Sequence, residues 1–269
     1  MPYIKSNDTD IYYEVHGSGP TLLFIAETAS VGGVWKFYQV PEFSRNHTVI
    51  IFDHRGTGLS GKPLHDYTTK MFADDAAAVL DHLALENAVV CGHSMGGRVA
   101  QLLALDHPRK VSKLIFASTG DSHPENKGIP LNICKGIVER GYEEFVRNRL
   151  VELGFPKSVV EKYPAEIKKY VDYRMANLVS LENFLRHVLA RQGHDTSARL
   201  KEIKVPTLIL VGEDEHEPNA DVTHWNMAQA LAQRIPHAKF VVLPGQKHRY
   251  FFVNPDGVHK IIREFLEAN

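Results

Sequence analysis

The sequence predicts an α/β protein in which helices cover both faces of a mostly parallel sheet. Three observations carry this prediction: short apolar runs without alternation, segments of helical periodicity between them, and a glycine-flanked serine where one run meets one helix. Unbroken apolar runs are typical of strands buried on both faces, as in parallel sheets. Their alternation with helices indicates βαβ units, and therefore one layered domain.

The predicted strands follow one another through the first half of the chain and resume near its end. The first, 11–15, is rich in β-forming residues, and the apolar runs that follow are 21–25, 47–52, 88–91, 114–117, 207–211 and 240–243. Helical spacing of apolar residues predicts helices over 71–85, 98–105 and 257–268. Strands and helices thus alternate on both sides of a long middle segment.

That middle segment, residues 121–199, contains helical patterns and no convincing buried strand. The predicted helices are 137–151, 158–175 and 181–190. A helical insertion between strands of a parallel sheet lies above the carboxyl edge, where ligands bind in such folds. We therefore interpret 1–120 with 200–269 as the core and 121–199 as a helical cap over a pocket. A separate helical domain with its own partner is the alternative.

Composition excludes several classes of protein. The 269 residues include 31 basic and 32 acidic residues, whereas nucleic-acid binders usually carry a strongly basic surface. No signal-like start and no run of about 20 apolar residues are present, so we expect a cytoplasmic protein that does not bind membranes. Two cysteines make no disulfide framework. The fifteen histidines are scattered, so we expect no metal.

The strongest motif is Gly-His-Ser-Met-Gly-Gly at residues 92–97, after a predicted strand and at the start of a predicted helix. This is the setting of a G-x-S-x-G nucleophile elbow, a sharp turn that exposes Ser94 above the sheet. The glycines leave room for neighbouring backbone. The amide of Met95 would point to a developing oxyanion. A purely structural glycine turn is the alternative interpretation.

Three segments together resemble the α/β-hydrolase fold superfamily: 52–58 (Phe-Asp-His-Arg-Gly-Thr-Gly), 91–97, and 204–207 after the cap. The chain looks most like small capped serine hydrolases around 3-oxoadipate enol-lactonases and aminoacrylate-type hydrolases. The resemblance covers nearly the whole chain. It implies the α/β-hydrolase fold, with a mostly parallel eight-stranded sheet flanked by helices and a helical cap insertion. Lactonase or carboxylesterase activity without a cofactor is what it implies for function.

The resemblance also implies which histidine is the general base that activates Ser94. A serine is a poor nucleophile until a base takes its proton. In this superfamily the histidine comes last, in the loop after the final strand. His248 stands in that loop, seven residues before Pro255, as is common in the superfamily. One of the many surface histidines would be the alternative.

The acid that would orient this histidine has several candidates. The family position, three residues after the glycine of the preceding strand, is Glu215, and the adjacent Asp214 has the commoner residue type. We prefer Asp214 slightly, although register alone does not choose between neighbours on a loop. Asp121, after run 114–117, is a third option. A carboxylate is needed there to hold one imidazole tautomer and stabilise the imidazolium.

The loop after run 21–25 departs from the family pattern. Counting back from Trp35, Ala26-Glu27 replaces the usual His-Gly pair, and Thr28 takes the position whose amide completes the oxyanion hole. Glu27 either points away and pairs with an arginine, or points into the pocket, where it would repel anionic substrates or orient a polar one. Trp35 is a candidate for the pocket lining, although such aromatic residues are more often core.

A serine at the elbow predicts an acyl intermediate, and hence an ester, lactone, thioester or amide substrate. Dehalogenases and epoxide hydrolases of this fold place an aspartate there, so Ser94 argues against both. The leading hypothesis is an esterase or lactonase for a small-molecule substrate, as a monomer or homodimer. The alternatives are a ligand-hydrolysing signalling receptor or regulator, a C–C bond hydrolase, a cofactor-free haloperoxidase-like enzyme, or a decarboxylase-type activity.

Overall fold

Eight strands form one sheet in the computed structural model, which describes residues 2–122, 128–215 and 223–268. Their order across the sheet is β1-β2-β4-β3-β5-β6-β7-β8. β1 and β2 pair antiparallel and β2 is antiparallel to β4, whereas β4, β3 and β5 to β8 run parallel. The strands are β1 (Tyr3–Ser6), β2 (Thr9–His16), β3 (Thr21–Ile25), β4 (Thr48–Phe52), β5 (Ala88–His93), β6 (Val111–Ala117), β7 (Thr207–Gly212) and β8 (Lys239–Leu243). The predicted fold class is confirmed, and only the short β1 had no counterpart among the seven predicted runs.

The helices lie between the strands and after them. They are α1 (Gln39–Phe43), α2 (Thr69–His82), α3 (Met95–Asp106), α4 (Leu131–Arg140), α5 (Tyr142–Glu152), α6 (Lys157–Lys162), α7 (Pro164–Ala176), α8 (Leu181–Gln192), α9 (His224–Arg234), α10 (Tyr250–Val253) and α11 (Pro255–Glu267). The sequence patterns did not predict α1, α9 or α10. No described helix is both long enough and apolar enough to cross a bilayer.

Side chains of β3 to β8 alternate between two apolar layers. On β5, Val90 packs in the layer beneath α2, α3 and α9, and the adjacent Cys91 packs in the layer beneath α1 and α11. Both are fully buried. This burial on both faces explains why the strands read as unbroken apolar runs.

Helices α4 to α8 follow β6 and precede β7, with residues 123–127 of the predicted cap outside the described range. They share a third apolar cluster of their own, which meets the rest of the molecule through Ala29 and Phe252. Two predicted helices are each split into two. Gly141, at a φ of 78°, separates α4 from α5. Pro164 starts α7 after the non-helical Tyr163, and proline favours a helix start over a helix interior.

The register of the sheet gathers the loops that carry the candidate residues. Ile25 at the end of β3 pairs with Gly92 of β5, and His93 pairs with Ala117 at the end of β6. Gly212 of β7 pairs with Leu243 of β8. Since the carboxyl ends of parallel strands meet at one edge, the loops after all five strands face the same space below the cap.

Candidate active site

Ser94 stands in the strained backbone turn that its motif predicts. Its φ of 54° and ψ of −117° lie outside the regions that ordinary residues occupy. The flanking glycines are sterically required. A Cβ on Gly92 would lie 2.3 Å from the carbonyl oxygen of Gly96, and one on Gly96 would lie 2.3 Å from that of Ile25. The strain persists because the surrounding backbone fixes the turn, which is common at functional sites.

His248 reaches the serine turn from the loop after β8. The side chain of His93, the residue before Ser94, donates from Nε2 to the carbonyl oxygen of His248 at 2.9 Å. The two imidazole rings lie 4.6 Å apart, centroid to centroid. Ser94 and His248 line the same cavity. The structure therefore brings together two residues that stand 154 positions apart in the sequence.

Glu215 is the carboxylate that contacts this histidine. His248 Nδ1 lies 2.9 Å from Glu215 Oε2, and because a carboxylate only accepts, Nδ1 carries the proton. The other oxygen, Oε1, accepts from the Ser118 hydroxyl at 2.5 Å and from the Gly212 amide at 2.9 Å. With Nδ1 protonated, Nε2 of His248 is the nitrogen free to accept a proton.

The slight preference for Asp214 is corrected by this geometry. Residues Glu213–Glu215 form a short 3₁₀ turn in which Asp214 is exposed and borders the cavity, whereas Glu215 is buried against His248. Asp121 is not the carboxylate that the structure pairs with His248: its Oδ2 accepts from the Arg234 guanidinium, and the bond from His248 Nδ1 goes to Glu215. Counting residues from Gly212 could not distinguish Asp214 from Glu215, because the conformation of the turn determines which of the two side chains contacts His248.

Glu27 faces the site and is paired at the same time. Its carboxylate is buried, accepts from Arg174 and from Tyr170 of the cap, and accepts from Arg249 Nη2 at 3.1 Å. Its Oε2 lies 3.9 Å from His248 Nε2. The two interpretations of Glu27 in the sequence are therefore both partly correct. The expected repulsion of anions does not follow, because two guanidinium groups compensate its charge.

A cavity of about 670 Å³ lies between the sheet edge and the cap. This volume is within the usual range of small-molecule sites. Ser94, Thr28 and Glu27 line it on the core side. Met95 begins α3 directly after Ser94, so its amide belongs to the N-terminal turn of that helix. Thr28 borders the cavity and Met95 follows Ser94, and an oxyanion hole formed by their amides stays a prediction.

The family model for the α/β hydrolase fold matches residues 20–255. The chain belongs to the α/β hydrolase fold family. It is a hydrolase, as the names of its relatives indicate. A putative carbamate hydrolase, RutD, of Azorhizobium caulinodans is 30% identical over 98% of both chains.

Two solved structures are close to this hydrolase in architecture. One is Est816, described as an N-acyl homoserine lactone degrading enzyme, with 29% identity, a TM-score of 0.84, and coverage of 98% of this chain and 100% of that chain. The other is the enol-lactonase of Burkholderia xenovorans, with 24% identity, a TM-score of 0.85, and coverage of 99% and 100%. The second structure shows likeness of fold alone. The resemblance to the α/β-hydrolase superfamily that the motifs predicted is confirmed by the match of the family model.

Burial and charge set the protonation state of the histidines in this α/β hydrolase. Burial, followed by the nearby Arg249 charge, lowers the pKa of His248 to about 3. Burial, together with His248, likewise lowers the pKa of His93 to about 3. Glu27 opposes the shift at His248 by its negative charge. Both imidazoles are therefore neutral near pH 7, which is the state a general base needs.

Trp35 does not line the cavity of Ser94 and is corrected to a core residue of the hydrolase. Its ring packs 4.9 Å from that of Phe24 and 5.0 Å from that of Phe251, measured between centroids. It borders only a small second cavity beside His93 and Tyr170. The loop that carries it turns back onto the sheet, because Gly32 donates its amide to Asp53 at 2.7 Å.

His224 is a residue at the site that sequence reasoning missed. It begins α9, and its ring lies 4.4 Å from that of His248, with Nδ1 3.5 Å from Glu215 Oε2. The three side chains offer ligand atoms within 4.8 Å of one another, close enough to hold a metal ion. The sequence did carry one signal for this helix: Thr223 is a favourable N-cap residue. Its hydroxyl accepts from the amide of Asn226, so α9 begins at His224.

Proposed function

We propose that the protein is a serine hydrolase that cleaves a small-molecule ester or lactone through an acyl-enzyme on Ser94. His248 acts as the general base, and Glu215 orients it. The observation that carries this proposal is the hydrogen bond from His248 Nδ1 to Glu215, beside a serine held in an elbow turn. The relatives described as a putative carbamate hydrolase and a lactone-degrading enzyme support the proposal, because carbamates and lactones are both hydrolysed by attack at an acyl carbon.

The proposed first step is attack of Ser94 Oγ on the substrate carbonyl carbon while His248 Nε2 takes the hydroxyl proton. The oxyanion would accept from the amides of Met95 and Thr28. The C–O bond to the leaving group then breaks, and His248 returns its proton to that oxygen. Water repeats the sequence on the acyl-enzyme and releases the acid, so no cofactor is needed.

Two carboxylates would stabilise the imidazolium formed in each step. Glu215 accepts from Nδ1, and Glu27 stands 3.9 Å from Nε2. A neutral imidazole in the resting enzyme follows from its lowered pKa. The transient charge therefore develops between two fixed anions, which need no reorganisation as it forms.

Hydrolysis of p-nitrophenyl acetate by the wild type and by Ser94→Ala tests the assignment. We expect multiple turnovers in the wild type and a loss of about a thousandfold or more in the variant. A fluorophosphonate should label the wild type once, at Ser94, by intact and peptide mass spectrometry. Equal turnover of the two proteins, or labelling elsewhere, would remove Ser94 as the nucleophile. Turnover without any partner protein would count against a signalling receptor.

A further inference from the structure

Three side chains around the general base form a group of potential metal ligands. They are Glu215, His224 and His248, and each offers a ligand atom within 4.8 Å of the others. In the described parts of the chain, this is the only such group of three histidine, cysteine or acidic side chains. Two imidazole nitrogens and one carboxylate oxygen are a donor set that zinc uses in sites with an open fourth position. The chemistry of the group therefore suits a zinc ion.

The distances between the ligand atoms are close to those that zinc requires. Zinc lies about 2.0–2.2 Å from its nitrogen and oxygen ligands, so neighbouring ligand atoms of a tetrahedral site are about 3.3–3.6 Å apart. Oε2 of Glu215 lies 2.9 Å from Nδ1 of His248 and 3.5 Å from Nδ1 of His224. The two imidazole rings lie 4.4 Å apart between centroids, with 42° between their planes. Small rotations of the side chains are enough to place the three atoms around one ion.

A metal ion can reach this group from the active-site cavity. All three side chains line the same cavity as Ser94, and 40% of the His224 side chain is exposed. Glu215 is fixed through its other oxygen, Oε1, by the Ser118 hydroxyl and the Gly212 amide. The group is therefore open on the side of His224 and held in place on the side of Glu215.

An ion bound at Nδ1 of His248 would change the state of the other ring nitrogen. A neutral imidazole carries one proton, either on Nδ1 or on Nε2. In the structure that proton is on Nδ1 and is donated to Glu215, which leaves the lone pair of Nε2 free. Zinc needs the lone pair of Nδ1, so the proton would move to Nε2. With a proton on Nε2, His248 can no longer accept the proton of Ser94.

We propose that Glu215, His224 and His248 bind a zinc ion that reversibly switches off the general base. The ion takes the place of the proton on Nδ1, and that proton moves to Nε2, so no proton or electron leaves the ring. The inhibition rests on the proposed function, because it assumes that His248 is the base, whereas the binding of zinc does not. His224 completes the site, since Glu215 and His248 alone supply only two ligands.

The charges around the cavity set the expected strength of binding. Among the described lining residues, six arginine or lysine side chains stand against three acidic ones, Glu27, Asp214 and Glu215. The basic side chains oppose a divalent cation, whereas the carboxylate of Glu215 attracts it. We therefore expect a dissociation constant of about 1–100 μM. Binding of this strength is readily reversed by a chelator.

Inhibition of the wild type by zinc chloride tests the effect on the reaction. With p-nitrophenyl acetate as substrate, zinc should lower the apparent kcat and leave KM little changed, because the ion lies at Nδ1, opposite the nitrogen that serves Ser94. EDTA should restore the activity. Magnesium chloride should have no effect, because Mg²⁺ prefers oxygen ligands. Full activity at about 1 mM zinc, or equal inhibition by magnesium, overturns the proposal.

His224→Phe removes one ligand and keeps an aromatic ring beside His248. Loss of even an outer-sphere partner typically costs about 10- to 100-fold in metal affinity, so the remaining activity of this variant should need about 30-fold more zinc, or more than that, for half inhibition. The matched control is His82→Phe, at the exposed end of α2, which should keep the sensitivity of the wild type. Equal sensitivity of the two variants, both folded by circular dichroism, overturns the proposal.

Binding measurements without substrate separate the metal site from the hydrolytic mechanism. Calorimetry with zinc chloride should show binding to the wild type and to Ser94→Ala, and weaker binding to His224→Phe. Anomalous scattering from a wild-type crystal soaked in zinc chloride should place the ion between Glu215, His224 and His248, and it needs no variant. If the ester is not hydrolysed but zinc binds there, the proposed function fails and the metal site stands. Zinc bound only at other residues overturns the metal site and leaves the hydrolase proposal intact.

Discussion

Two glutamates flank the same histidine and are held by opposite means. Glu215, on the Nδ1 side, is fixed by neutral donors, the Ser118 hydroxyl and the Gly212 amide. Glu27, on the Nε2 side, is fixed by two guanidinium groups and a tyrosine. A carboxylate held by neutral donors keeps its full charge for the imidazolium, whereas one held by two cations is compensated. The comparison predicts that Glu215 supplies most of the stabilisation of the imidazolium, and that Glu27 adds less to the reaction and more to the stability of the fold.

The largest effect should come from Glu215→Gln. The amide would present a donor to His248 Nδ1 and disfavour the required tautomer, so we expect kcat to fall by about 10³ to 10⁴. The free energy of unfolding should change by only about 1 kcal/mol, because Gln can still accept from Ser118 and Gly212. Steady-state kinetics and urea unfolding measure the two quantities. Asp214→Asn is the matched control, and a larger loss of kcat in that variant would restore Asp214 as the acid.

Glu27→Gln should give the reverse pattern. It leaves Arg174 and Arg249 buried without a carboxylate, so we expect the free energy of unfolding to fall by about 3 kcal/mol. Urea unfolding monitored by circular dichroism checks this. Glu42→Gln, which removes a more exposed partner of Arg263, is the control and should cost about 1 kcal/mol or less. If Glu27→Gln is as stable as the wild type, Glu27 does not tie the cap to the core.

The sequence predicted the elbow and the histidine better than it predicted these two glutamates. A G-x-S-x-G motif is local, because its glycines, its serine and the following helix are consecutive in the sequence. The same few residues therefore determine the geometry of the whole turn. The choice of Glu215 over Asp214 depends on a 3₁₀ turn of three residues. The partners of Glu27 stand 143, 147 and 222 residues away, and no local pattern indicates such distant contacts.

The elements of the fold also differ in how well local sequence patterns predicted them. Apolar runs predicted β3 to β8 because burial on both faces requires consecutive apolar residues, whereas the run of β-forming residues at 11–15 predicted β2. The edge strand β1 has alternate residues exposed and only four members, so its signal was too short. In the cap, apolar periodicity continued across Gly141, but the backbone conformation there ends one helix and begins another. The missed helix α9 carries His224, so its omission also concealed a residue of the site.

Ser118→Ala sharpens the comparison because it weakens the support of Glu215 and leaves Glu27 and its partners unchanged. Ser118 donates to Oε1 and also lies 3.1 Å from the Tyr250 hydroxyl. Loss of one hydrogen bond to a charged group typically costs about 2 kcal/mol, so we expect kcat to fall by roughly 10- to 30-fold with KM little changed. Ser112→Ala is the matched control, because this partly buried serine of β6 donates to the backbone carbonyl of Asn87 instead. A parallel rise in KM would indicate that Ser118 acts on substrate binding instead.

The smallest effect concerns pH. Because burial and Arg249 lower the pKa of His248 to about 3, the base stays neutral as the pH falls through 6.5. We therefore expect kcat/KM at pH 5.5 to remain within about twofold of its value at pH 7.5, whereas a base with the ordinary pKa of 6.5 would lose roughly 90% of its activity. Arg249→Met removes a positive charge and should move the acid limb to higher pH, with Arg109→Met as the control. A tenfold loss by pH 5.5 in wild type that is still folded by circular dichroism would show that the two glutamates hold His248 closer to its ordinary pKa, and that Glu27 takes part in the charge balance of the reaction.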